Sequence, residues 1–386
     1  MLNKNDISYL LLIYLIVLIA IQFSSLGISE GNYVILRGII IGLIILIFLF
    51  SLNKSLISTL LKSKTLIIHS LILFLSIIVL LVVIPFSKMD IRISPIRDLF
   101  LSLIIMVIGI NLILTKRQFN RLLLLFIISF TLSALSIVFK YSNGFNILEY
   151  YLPIPKNQFA PAFGTAFIIS LYIAFQKDTK FKILYFFLSV LLLASLLVIR
   201  GRATLVSVFI TTFIIVFFYI KNKKYKIFTI FIIIALLPYI DTFIYEALFL
   251  NYDLTDINSI STGRLERNLE GISFLIEYPL FGELEHKFSG LTIHNYILYI
   301  LVSYGIILGA IILIPFLKYI SVTLMGIKRN SYQYYEVGPL VMVILLIISM
   351  FEYTYPYSPG SSTFFPFFLL GQYIQMNNKI SPKKSL

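Results

Sequence analysis

Residues 183–220 read ILYFFLSVLLLASLLVI-RGR-ATLVSVFITTFIIVFFYI, two apolar runs joined by Arg200-Gly201-Arg202. A bilayer core about 30 Å thick is crossed by a helix of roughly 20 apolar residues. The stretch therefore predicts two membrane-spanning helices joined by a very short turn, with two arginines in the turn.

The same pattern continues along the whole chain, which is 59% hydrophobic and only 12% charged. This composition is typical of helical membrane proteins and excludes an ordinary soluble domain. We therefore predict an all-α, polytopic integral membrane protein with a single transmembrane domain over residues 1–386. About twelve spans are expected, at 7–26, 34–52, 66–86, 98–114, 122–139, 160–176, 183–199, 203–220, 227–245, 294–317, 337–354 and 362–376.

The basic residues predict the orientation of these spans. If the N-terminus is cytoplasmic, the cytoplasmic segments hold 20 of the 31 Lys and Arg residues. Loops of membrane proteins carry their excess of Lys and Arg on the cytoplasmic side. Both termini are thus predicted in the cytoplasm of a multi-pass plasma (inner) membrane protein. The net charge of +14 then reflects topology and contact with membrane lipids, and no nucleic acid is expected as a partner.

One outer loop stands out, residues 246–293 between the ninth and tenth predicted spans. Its helical pattern comes from four apolar residues, Leu265, Leu269, Ile272 and Ile276. Thr262 or Gly263 can cap this helix, and Pro279 with the following Phe-Gly ends it. We expect an amphipathic helix at the outer membrane surface.

The charged residues in and beside the outer segments are the candidates for chemistry, because the centres of the spans carry almost none. Guanidinium groups bind phosphate oxygens in pairs, so Arg200 and Arg202 suit an anionic ligand at the membrane surface. Arg264 and Arg267 are about one turn apart on the loop helix and point to a similar side. The alternatives are snorkelling arginines or surface ion pairs with loop carboxylates.

His294 opens the tenth predicted span, directly before Asn295. A histidine at a helix start is often structural, yet imidazole is also the side chain best suited to proton transfer near neutral pH. The chain has no cysteine and no Asp-x-Asp motif in an outer loop, and Glu283, Glu285 and His286 form only an unspecific metal-ligand pattern. We therefore predict no metal site and no cofactor.

Several ordered segments resemble the O-antigen polymerase and O-antigen ligase superfamily. They are Asn157-Gln-Phe-Ala160, Arg200-Gly-Arg202-Ala-Thr-Leu, Ser261-Thr-Gly-Arg264, Ile276-Glu-Tyr-Pro279-Leu-Phe-Gly282, His294-Asn-Tyr-Ile-Leu and Ser303-Tyr-Gly305-Ile-Ile-Leu-Gly309. The resemblance covers about residues 157–310, whereas the first 150 residues are similar only in hydropathy. The family commonly has serine before its arginine where this chain has Arg200-Gly201, so either Arg200 or Arg202 could be the matching arginine.

The resemblance implies a GT-C-like membrane glycosyltransferase that needs no metal and takes an undecaprenyl-diphosphate-linked oligosaccharide as donor on the periplasmic face. It implies that Arg202 and Arg264 bind the diphosphate, with Arg200 and Arg267 as supporting cations. His294 would orient or deprotonate the acceptor hydroxyl or contact the diphosphate, and Glu266 or Glu277 would be the alternative base. A chain-length regulator and a flippase are the partners that the family implies.

Three functions stay open at this point. A polymerase, favoured by the fairly short outer loop, adds the glycan to another lipid-linked repeat unit. A ligase moves it to lipid A-core, and a lipid-linked oligosaccharide flippase only transports it. A flippase is expected to hold its cations in a central cavity, because transporter sites lie near the bilayer midplane. A helical scaffold without activity is the remaining alternative.

Overall fold

The computed structural model describes residues 4–52, 61, 63–83, 94–141, 155–176, 181–220, 226–227, 258, 261, 263–290, 292–329, 334–357 and 361–380. Within these residues the chain is helical and contains no β-strand. The helices are α1 (Lys4–Gln22), α2 (Glu30–Ser51), α3 (Lys64–Val83), α4 (Ser94–Asn111), α5 (Lys116–Tyr141), α6 (Ala160–Phe175), α7 (Lys182–Ile199), α8 (Arg202–Ile214), α9 (Arg264–Glu277), α10 (Tyr296–Arg329), α11 (Val337–Ile348) and α12 (Phe364–Ile380).

Seven of the helices in this part of the chain are long and apolar enough to cross a membrane: α1, α2, α4, α5, α7, α10, and α8 together with the π-helical turn Ile215–Tyr219. Three shorter apolar helices accompany them, α3, α6 and α11. The prediction of a helical membrane protein is therefore confirmed. The predicted span at 227–245 lies almost wholly outside the described residues, as does the first part of the 246–293 loop, and the count of twelve spans stays a prediction.

Helix α11 holds the centre of the fold and packs against α6, α8, α10 and α12. Its residues Val337–Leu345 are all buried, so this helix is surrounded by protein. It ends at Ile348, short of the predicted end at residue 354, and the chain continues in turns. Glu352 therefore lies in a turn at one end of the helix bundle instead of in a span.

Helix α10 is broken at Gly305, whose φ of 69° and ψ of 179° are not helical. The turn Pro279–Gly282 fills this break, and Ile306 N donates a hydrogen bond of 2.8 Å to Pro279 O. A Cβ on Gly305 would lie 2.1 Å from Leu280 O, and one on Gly282 would lie 2.2 Å from Val302 O. Only glycine permits this contact at positive φ. Two segments that the sequence presents separately are thus one docked unit.

The amphipathic helix predicted within residues 246–293 is confirmed as α9. Gly263 precedes it with a φ of 72°, and Ser261 Oγ accepts a hydrogen bond of 3.2 Å from Leu265 N in the first turn. The four apolar residues of the predicted face, Leu265, Leu269, Ile272 and Ile276, are exposed, whereas Gly271 is buried. An exposed apolar stripe on a short helix suits the surface of a bilayer.

Candidate anion site at one end of the helix bundle

The turn between α7 and α8 holds its two arginines against the start of α6. Arg200 ends α7 in the left-handed conformation, with a φ of 55°, and its N–H donates to Leu197 O at 3.1 Å. Such a backbone is uncommon for residues other than glycine and is found often at functional sites. A Cβ on the next residue, Gly201, would lie 3.0 Å from the Cβ of Ala160. The compact turn therefore brings Arg200 and Arg202 close to the residues preceding α6.

Those residues contribute a further cation, Lys156, in the 3-10 helix Lys156–Gln158. Burial, and after it the charges of Arg202, Arg200 and Arg264, together lower the pKa of Lys156 from 10.5 to about 8. Like charges disfavour the protonated form when they lie nearby. The lowered pKa thus identifies a concentration of positive charge, contributed by three separate segments of the chain.

The first arginine of α9 joins this group through a carboxylate. Arg264 Nη2 donates to Glu352 Oε1 at 2.5 Å, and Asn157 Nδ2 donates to the same oxygen at 2.6 Å. The carboxylate side chain is only 7% exposed and that of Arg264 is 22% exposed. Glu352 therefore connects α9, the segment before α6 and the turn after α11. Charge-assisted bonds in such a shielded place are stronger than surface ion pairs.

His294 lies on the other side of the same carboxylate. Its Nδ1 is 3.6 Å from Glu352 Oε2, and its Nε2 is 2.9 Å from Arg267 Nη1. A guanidinium only donates hydrogen bonds, so Nε2 must be the acceptor and the ring proton lies on Nδ1, facing the carboxylate. In this arrangement the lone pair that a general base needs is occupied by Arg267.

Backbone contacts keep His294 beside Glu352. Asn295 caps α10 by accepting a bond from Leu298 N at 3.1 Å, so the helix begins at Tyr296, two residues after the predicted start. Tyr296 N donates to Ser349 O at 2.9 Å, which ties the start of α10 to the end of α11. This contact explains how residues far apart in sequence form one site.

The structure thus places the four predicted arginines and His294 differently from the two predicted carboxylates. Arg200, Arg202, Arg264, Arg267 and His294 all belong to the segments that meet at Glu352 and Lys156. Glu266 and Glu277 are exposed and form hydrogen bonds elsewhere. The Glu266 carboxylate accepts from Asn258 at 3.0 Å, and that of Glu277 accepts from Tyr278 at 2.8 Å. They are poorly placed to serve as the alternative base.

Glu352 and Lys156 are the site residues that the sequence reasoning missed. Glu352 was assigned to the end of a span, and its partner Arg264 lies 88 residues earlier, so no local pattern connects them. Lys156 directly precedes Asn157, the first residue of the first segment that resembles the family. This adjacency was the only indication in the sequence that Lys156 belongs to the site.

Within the described part of the chain, no three His, Asp or Glu side chains gather as metal ligands would. The arrangement is instead suited to an anion with several oxygens, because five cations (Lys156, Arg200, Arg202, Arg264 and Arg267) belong to segments that meet beside one carboxylate and one imidazole. No protein-family model matches the sequence, and a search of curated proteins finds no match.

Proposed function

We propose that this protein is a surface-polysaccharide polymerase of the O-antigen type. It would transfer an undecaprenyl-diphosphate-linked glycan to the non-reducing end of another lipid-linked repeat unit, at the periplasmic face of the plasma membrane. We further propose about twelve spans with a GT-C-like arrangement, both termini in the cytoplasm, and catalysis without a metal.

One observation carries the proposal: the charges of Arg200, Arg202 and Arg264, which come from the α7–α8 turn and from α9, act together on Lys156 before α6. A lipid diphosphate is a ligand with matching charge, and it is presented at the end of membrane helices. Arginine binds phosphate oxygens through two parallel donors, which a single lysine cannot do. The ordered resemblance to the O-antigen polymerase and ligase superfamily supports the same ligand.

The reaction would proceed by substitution at the anomeric carbon of the donor sugar. The acceptor hydroxyl oxygen forms the new C–O bond, and the bond from that carbon to the diphosphate oxygen breaks. The diphosphate leaves with the electron pair, so negative charge grows on its oxygen. Arg202 and Arg264 would stabilise that charge, with Arg200 and Lys156 in support. Removing one such preplaced donor typically slows catalysis by about 10²–10³.

The hydroxyl proton would go to His294. Its Nε2 accepts from Arg267 here, so proton uptake requires Arg267 to turn away, and a bound diphosphate offers this guanidinium a stronger acceptor. Glu352 would then face an imidazolium across the present 3.6 Å gap and stabilise it. Binding of the donor would thereby release the base.

The ligase alternative shares this donor site and differs only in its acceptor. The flippase alternative is supported less, because the arginines lie at helix ends and in turns instead of at the middle of spans.

Surface glycans from a strain lacking this gene test the proposal directly. For a polymerase, lipid A-core or the corresponding carrier keeps a single repeat unit while the ladder of longer chains disappears. A bare lipid A-core with long lipid-linked chains accumulating indicates the ligase. Unchanged surface glycans would refute both.

A purified protein in nanodiscs provides the second test. When the protein is supplied with lipid-linked repeat units, we expect Arg202→Ala, Arg264→Ala and His294→Ala each to slow chain growth by about 10²-fold or more. Lys287→Ala is the matched control, because Lys287 is an exposed cation of the same loop. Wild-type rates in all three variants would refute the assignment.

A further inference from the structure

A tyrosine-lined cleft adjoins the anion site on the side of α4 and α10. Its walls include Asp98, Tyr296, Tyr299, Tyr353 and Tyr357. Tyr353 directly follows Glu352, and its ring centroid is 6.3 Å from that of His294. The rings of Tyr299 and Tyr353 are 4.8 Å apart, so two aromatic groups line the cleft next to the imidazole.

Two tyrosine hydroxyls of the cleft have unused hydrogen-bonding capacity. Tyr296 and Tyr357 are each 2% exposed, and neither hydroxyl has a hydrogen-bond partner among the described residues. Asp98 is 7% exposed, and the contacts from Arg97 Nε and Nη2, both of 2.9 Å, go to the same oxygen, Oδ1. Buried polar atoms are costly unless they find a partner, so these groups point to a ligand that supplies several.

We propose that this cleft, about 30 Å³ in volume, receives a hydroxyl of the acceptor sugar, which is the non-reducing terminal residue of the acceptor repeat unit. A sugar ring offers C–H groups to aromatic faces, and its hydroxyls both donate and accept hydrogen bonds. Tyr299 and Tyr353 would contact the ring, the hydroxyls of Tyr296 and Tyr357 would donate to it, and Asp98 Oδ2 would accept from it. Among the described residues that line the cleft there is no Lys or Arg, unlike in the anion site beside it, so a neutral sugar suits the cleft better than a phosphate.

The position of the cleft indicates a binding site for the acceptor rather than for the donor. Arg264 contacts Oε1 of Glu352 and belongs, with Arg200 and Arg202, to the cations around Lys156, whereas His294, the neighbour of the cleft, faces Oε2. A diphosphate on the cations would place the anomeric carbon between the two. A sugar in the cleft would then present its hydroxyl next to His294. This inference rests on the proposed function for the identity of the sugar as an acceptor.

Binding of a free glycan tests the subsite independently of turnover. The probe is the oligosaccharide released by mild acid from the producing cell's own polyprenyl-linked glycans, which lacks the diphosphate. Saturation-transfer NMR would follow its binding to the full-length protein in nanodiscs. We expect Asp98→Asn and Tyr353→Leu each to weaken binding by about tenfold. The first variant loses a hydrogen bond to a charged group, and the second loses a ring contact. Tyr14→Leu, which changes an exposed tyrosine of α1, should bind as the wild type does.

Arg202→Ala separates this inference from the proposed function. It should lose polymerisation while keeping oligosaccharide binding. Binding that is absent from the wild type, or equally strong in Asp98→Asn and Tyr353→Leu, would overturn the subsite even if the polymerase assay succeeds. If binding depends on Asp98 and Tyr353 but deletion of the gene leaves surface glycans unchanged, the sugar site is supported and the polymerase function is refuted. Asp98→Asn is nearly isosteric, so it tests the site even if Tyr353→Leu fails to fold.

Discussion

Glu352→Gln tests whether the buried carboxylate positions Arg264. The change keeps the size of the side chain but removes its charge. The 2.5 Å bond from Arg264 then becomes a bond to a neutral amide, and the amide nitrogen can face the Nδ1–H of His294, which is also a donor. A hydrogen bond to a charged group contributes about 1.5–3 kcal/mol.

The Arg264 side chain is 22% exposed, so water recovers part of that loss. We therefore expect about 2 kcal/mol, which corresponds to about a 30-fold decrease in kcat/KM for lipid-linked repeat units. The bond from Asn157 survives because the glutamine oxygen still accepts it. Circular dichroism melting should show that the helices remain folded.

The control is Glu285→Gln, because Glu285 is an exposed carboxylate of the loop that carries Arg264, and its oxygen lies 3.8 Å from His286 instead of against an arginine. A double-mutant cycle with Arg264→Ala makes the test specific. If Glu352 acts through Arg264, Glu352→Gln should have little further effect once Arg264 is gone. Additive effects, or an unchanged rate in Glu352→Gln, would refute this reasoning.

Three other predictions follow from the same contacts. Because the pKa of Lys156 is lowered to about 8, its positive charge is present below pH 8 and lost above it. We therefore expect kcat/KM to fall above about pH 8 in the wild type but not in Lys156→Arg, whose guanidinium stays charged. Identical pH profiles of the two proteins would contradict this. Gly305→Ala should undock the turn at residues 279–282, because the new Cβ clashes with Leu280 O and the positive φ adds about 1–2 kcal/mol of backbone strain. Limited proteolysis of the turn should then become faster. Gly42→Ala, where a Cβ meets nothing within 4 Å, should leave the digestion pattern unchanged. Arg267→Gln should free Nε2 of His294 but weaken donor binding, raising KM for the lipid-linked donor by about tenfold; an unchanged KM would show that Arg267 does not contact the diphosphate.

Hydropathy was sufficient to predict the helices, because each membrane helix satisfies its backbone groups internally and must be apolar along its length. The predicted span at 183–199 coincides with α7, and the amphipathic pattern predicted α9, whose cap is Gly263, one of the two predicted candidates. These are local properties of the chain. The two arginines of the α7–α8 turn were also recognisable from the sequence, because cations in a loop predicted to face outward are exceptions to the usual distribution.

The break in α10 and the role of Glu352 could not be predicted in the same way. The hydropathy of residues 296–317 continues through Gly305, and the reason for the break is the docking of a turn about 25 residues earlier in the chain. Glu352 lies next to the predicted end of an apolar run, where a charge usually marks the membrane boundary. The structural role of Glu352 depends on its contacts with Arg264, Asn157 and His294, which belong to other segments of the chain.

The docked glycines have a consequence for exchanging parts between related proteins. Gly282 and Gly305 each approach the backbone of the other's segment so closely that neither tolerates a side chain. A chimaera that replaces only the outer loop would pair a foreign turn with the native break in α10. Residues 279–306 therefore form the smallest interchangeable block, and it carries His294 with it. Grafts that respect this block should transplant specificity, whereas a junction inside it should yield an inactive hybrid.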